Sequence, residues 1–158
     1  MKRLTPVTGI IFLLLFMGLY LGIQMAVESG FGRSRLERVR PDEQGLVRID
    51  VGEFEPLEVR FYRFLNPANQ EVEFLVGLDE HGVVQVGFNA NEAHYKTRRG
   101  FSAQNGWIID NKCETTTRLS TVNTGGGGCR PVAVTHRVVG DELQIREQDL
   151  LAGWRYFR

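Results

Sequence analysis

The stretch Pro56–Phe88, PLEVRFYRFLNPANQEVEFLVGLDEHGVVQVGF, decides the fold. Apolar residues alternate at Leu57, Val59 and Phe61 before Tyr62 and Phe64 blur the phase, and EVEFLVGL and VVQVGF are two further apolar runs of strand length. Between them stand NPANQ and DEHG, whose Asn, Pro, Asp and Gly supply turn chemistry. Short strands joined by tight turns make an antiparallel meander. Upstream, LVRIDV (Leu46–Val51) alternates in the same way and adds a strand to it. Downstream, RPVAVTHRVVG and ELQIRE flank Gly140-Asp141 as another hairpin. The tail DLLAGWRYF reads as one helical turn capped by Asp149 and stopped at Gly153, with aromatics packed on the sheet. Asn89–Gly128 carries little periodicity and is rich in Asn, Thr and Gly, so it is expected as a long irregular loop region. The fold class is mostly β (α+β), a small antiparallel domain running from residue 46 to residue 158.

Two segments precede that domain. Residues 7–27, VTGIIFLLLFMGLYLGIQMAV, carry no charge, and at ~1.5 Å per residue they match the ~30 Å hydrocarbon layer. We read residues 1–29 as one N-terminal transmembrane helix. A cleaved secretory signal is the competing reading, with Met1-Lys2-Arg3 as its basic start, but the apolar run exceeds the usual ~7–15 residues. Gly18 and Gly22 form a GxxxG pair where the helix of another membrane protein could approach closely. Residues 30–45, ending in Pro41 and Gly45, read as a charged juxtamembrane linker.

With 42% hydrophobic residues and 19 basic against 19 acidic side chains, the chain has neither the composition of a disordered segment nor the basic surplus of a nucleic-acid surface. There is no G-x-S-x-G elbow, and TGGGGC lacks the Lys-Ser/Thr of a phosphate loop, so hydrolase and nucleotidase classes have no support. The two cysteines, Cys113 and Cys129, leave the core to carry the fold. Their residues alone leave three readings open: a disulfide, two metal ligands, or two unrelated thiols.

GFNANEAHY, RRGFSAQNGWIIDNKC, GGCRPVAV and GDELQI…DLLAGWRYF, in that order, resemble the membrane iron–sulfur-containing FtrD-like family. The resemblance implies a membrane-anchored domain on the extracytoplasmic, periplasmic side of a bacterial inner membrane. The four arginines after the span, Arg33, Arg35, Arg38 and Arg40, argue for the opposite side by the positive-inside rule. The family's two Cys-x-x-Cys motifs fall on Asn91 with His94 and on Asp110 with Cys113, and its GGC cysteine falls on Cys129. Three of five cysteine positions thus carry other residues. The remainder matches neither four thiolates nor the two-Cys, two-His Rieske arrangement, so an iron–sulfur cluster is not carried over.

The family pattern implies that Cys113 and Cys129 lie near one site. The glycine run would let Cys129 reach the Cα separation of ~4.4–6.8 Å that a disulfide needs, and a disulfide is the reading we favour. The alternative is one metal ion such as zinc on His94, Asp110, Cys113 and Cys129. Two functions follow. One is a non-catalytic accessory or interaction subunit of a metal-uptake or electron-transfer system, with no cofactor. The other is a metal-binding or redox protein.

Overall fold

The computed structural model describes residues 13, 15–21, 36–125 and 127–158. The chain divides into two units, Met1–Arg33 and Ser34–Arg158. Of the first, residue 13 and residues 15–21 are helical with exposed side chains, Leu15, Phe16 and Leu19 among them. The rest of the expected span, Gly22 included, lies outside the described residues. Among those described, no helix is long and apolar enough to cross a membrane.

The second unit is mostly β, with ten strands in three sheets among the described residues. β3 (Val59–Leu65), β4 (Glu71–Leu78) and β5 (Val84–Phe88) form the expected antiparallel meander. β1 (Glu37–Val39), inside the segment read as a linker, pairs parallel to β3 and extends this sheet. β2 (Leu46–Asp50) does not join the meander. It pairs antiparallel with β10 (Glu142–Arg146), which in turn pairs with β9 (Arg137–Val139) around Gly140-Asp141. The register explains the choice: Val47 stands opposite Ile145 and Ile49 opposite Leu143, so four apolar side chains share one buried face.

The blurred phase of PLEVRFYRF has a physical cause. Tyr62 and Phe64 of β3, with Val72, Phe74 and Val76 of β4, belong to a main core that also takes in Val47, Ile49, Leu143 and Ile145. Phe61 and Leu75 point the other way, into a second core with Phe101, Ile108, Leu119 and Val122. The central sheet is covered on both faces, so alternation between apolar and polar gives way to apolar runs. Leu57, read as the first strand position, instead lies in the preceding turn at φ 68°.

The cover for that second face comes from the region expected to be irregular, which is the main correction to the sequence reading. β6 (Phe101–Gln104) and β7 (Trp107–Asp110) form a hairpin, and β8 (Thr116–Arg118) completes a third sheet. Asn105-Gly106, at φ 48° and 76°, is a two-residue turn of the kind whose positive φ values match strand twist. The Asn-Gly signal was present in the sequence, but four-residue strands carry too little periodicity to show beside it.

Two terminal details also differ. Asp149 does not cap the helix Glu147–Leu151, whose N-cap is Arg146; the Asp149 carboxylate instead accepts from the Arg146 guanidinium at 2.7 Å. Gly153 follows that helix at φ −84°, so handedness is not its role. A Cβ there would stand 2.2 Å from the buried Phe88 ring. Gly153→Ala is therefore expected to cost about 1–3 kcal/mol by overpacking, read as a lowered urea midpoint. An unchanged midpoint would contradict the close approach.

The loop between β4 and β5 is tied by Asp79, a buried carboxylate that accepts from the amides of His81 and Val83 and from Gln85 Nε2, each at 2.9 Å. Burial by itself would raise this carboxyl, but those donors outweigh it and hold it below its ordinary value. A depressed folded value contributes stability that is complete above the unfolded value of ~3.9 and is lost as pH falls through the folded value. Acid titration of unfolding free energy should therefore decline below about pH 4, and more shallowly in Asp79→Asn. Equal slopes would remove Asp79 from the cause.

Candidate functional site

The five motif positions are spread over three loops, and the fold brings them together. Asn91 and His94 follow β5, Asp110 ends β7, Cys113 sits in the turn before β8, and Cys129 closes the glycine run. Cys113 and Cys129 are joined as a disulfide with a Cα separation of 6.3 Å, and neither is a free thiol. The favoured pairing is thus present in the structure.

Asp110 anchors one side of the site. It is buried, its Oδ1 accepts from the backbone amides of Lys112 and Cys113 at 2.7 Å each, and its Oδ2 accepts from Asn91 Nδ2. Asn91, also buried, turns its Oδ1 to the amide of His94. One polar chain therefore runs from the Cys113 turn through Asp110 and Asn91 to His94. The effect is to hold His94 at the disulfide: one ligand atom each from His94, Cys113 and Cys129 lies within 4.8 Å of the other two. Asp110 is not in that group, because its oxygens already serve the turn and Asn91. His94 is exposed and both cysteines are half-buried, so the site opens to solvent.

Beside it is a cavity of about 130 Å³ lined by Asn89, Asn91, His94, Arg98, Asp110 and Lys112 among others. Arg98 and Arg99 of YKTRRG border it, yet Glu71 and Glu73 do too, so the lining is mixed in charge. His81 and His136 stand apart from this site: His81 is solvent-exposed near Glu80, and His136 Nδ1 lies 2.9 Å from the Val134 carbonyl.

A family model matches residues 55–157, described as membrane iron–sulfur containing protein FtrD-like. The chain belongs to the FtrD-like family. No curated protein and no solved structure matches it. Membership in a membrane family agrees with the apolar N-terminal run.

The donor set of this FtrD-like chain does not fit an iron–sulfur cluster. Its two sulfurs are bonded to each other, Asp110 accepts three internal hydrogen bonds, and the amide of Asn91 is committed to Asp110 and His94. What a cluster requires is four open donors, in the usual case thiolates. The role of Asn91 was the part missed by sequence reasoning. Nothing in the sequence marks it as the partner of a carboxylate nineteen residues away.

Proposed function

We propose that this chain is an accessory, non-catalytic member of the FtrD-like family: a membrane-anchored, extracytoplasmic domain that serves as an interaction subunit of a metal-uptake or electron-transfer system. One observation carries the reading. The five positions that would hold family cysteines still converge, but a disulfide and the Asn91–Asp110 hydrogen bond occupy the place of open ligands. Such a site supports the loops as a strut. A disulfide also suits an oxidising compartment outside the cytoplasm.

Iron and sulfide analysis of the purified full-length chain, before and after anaerobic reconstitution, tests the absence of a cluster. No stoichiometric chromophore is expected, and four irons or two irons per chain would overturn the reading. A C-terminal alkaline phosphatase fusion tests the location separately. It should be active, whereas an inactive fusion would place the domain in the cytoplasm with its four juxtamembrane arginines.

A further inference from the structure

We propose that the Cys113–Cys129 bridge gates a metal site: once a dithiol has reduced it, the two thiolates and the His94 imidazole take up one divalent cation of the zinc class. The proposal rests on the accessory reading only in taking this not to be a cluster site.

Three donor atoms, one imidazole nitrogen and two sulfurs, lie within 4.8 Å of one another. A tetrahedral zinc-type ion with ~2.3 Å bonds to sulfur and ~2.0–2.1 Å to nitrogen needs its donors ~3.5–3.8 Å apart, so all three fall within reach of one centre. The two sides of the site are held differently. Cys113 and His94 are fixed to the buried Asp110–Asn91 pair through their backbone amides. Cys129 instead follows Gly127 and Gly128, both at positive φ with no atoms within 4 Å of where a Cβ would stand. Once the bridge is cut, the backbone freedom of these glycines lets Cys129 draw back to metal-binding distance while its partners stay in place. The fourth position faces solvent, where water completes the coordination. Both cysteines are half-buried rather than enclosed, which leaves the bridge open to approach by an external thiolate.

The chemistry balances with a dithiol as the named co-reactant. Its thiolate attacks one sulfur, the Cys113–Cys129 bond breaks, and a mixed disulfide forms. The second thiol of the reductant resolves that bond, leaving the reductant oxidised by two electrons and both cysteines reduced. Cation binding then releases two thiol protons to solvent, and two thiolates with a neutral imidazole cancel the charge of the ion.

The test is cobalt(II) titration of the full-length chain in detergent, oxidised and after reduction by a dithiol that is then removed anaerobically. The reduced chain should bind one equivalent with an intense thiolate-to-cobalt absorption that zinc abolishes, and the oxidised chain should show none. His94→Ala should weaken binding at least about tenfold, since loss of even an outer-sphere partner costs that much, while His81→Ala leaves it unchanged. The proposal is overturned by a reduced chain that binds no stoichiometric cobalt, by equal binding in the oxidised chain, or by His94→Ala binding as wild type. A reduced chain that unfolds and stays unfolded with cobalt present overturns it as well. An iron–sulfur chromophore on reconstitution would instead sink the accessory reading, whatever cobalt does.

Discussion

Phe74→Ala and Leu75→Ala are each expected to destabilise the domain severely, by about 3–5 and 2–5 kcal/mol respectively. The two residues are neighbours in β4 and point to opposite faces, so in a sheet with one solvated face only one of them could matter. Both are fully buried here: Phe74 packs in the main core, stacked on Tyr62 at 5.5 Å between ring centroids, and Leu75 in the second core against β6 and β7. Urea unfolding of the two single variants measures this directly. A Leu75→Ala cost within ~0.5 kcal/mol, the range of a surface change, would show that the third sheet does not cover that face in solution.

Removing the bridge is the second large effect. Cys113 and Cys129 are separated by 16 positions, and closing a loop of that size is worth ~3 kcal/mol in the chain-entropy model. Cys113→Ser with Cys129→Ser should lower the unfolding free energy by about that amount. A domain of this size has ~5–15 kcal/mol in total, so the variant should remain folded on its two cores. The same margin keeps the reduced chain folded, as a metal site gated by the bridge requires. Unfolding free energies that match with and without the cysteines would show that the disulfide is not a strut. The serine variant also separates stability from binding: it should stay folded and take up no cobalt.

Strands β2 to β5 and the β9–β10 hairpin were legible because each has enough residues for its pattern and a turn signal at its ends. The disulfide was legible only through a resemblance in the order of three motifs, since two cysteines with fifteen residues between them carry no geometry of their own. By itself the sequence determined the class: a mostly β domain, neutral in charge, behind an apolar segment long enough for a membrane. Tertiary structure alone decided the rest. Strand partners are chosen by which apolar faces meet, which is why β2 pairs with β10 at the far end of the chain. Covering of both faces of β4 became visible only once β6 and β7 were placed. The site followed the same rule. Asn91 and Asp110 are ordinary loop residues in the sequence, and only burial, where an unpaired amide or carboxylate is costly, makes them one hydrogen-bonded unit holding His94 beside the two sulfurs.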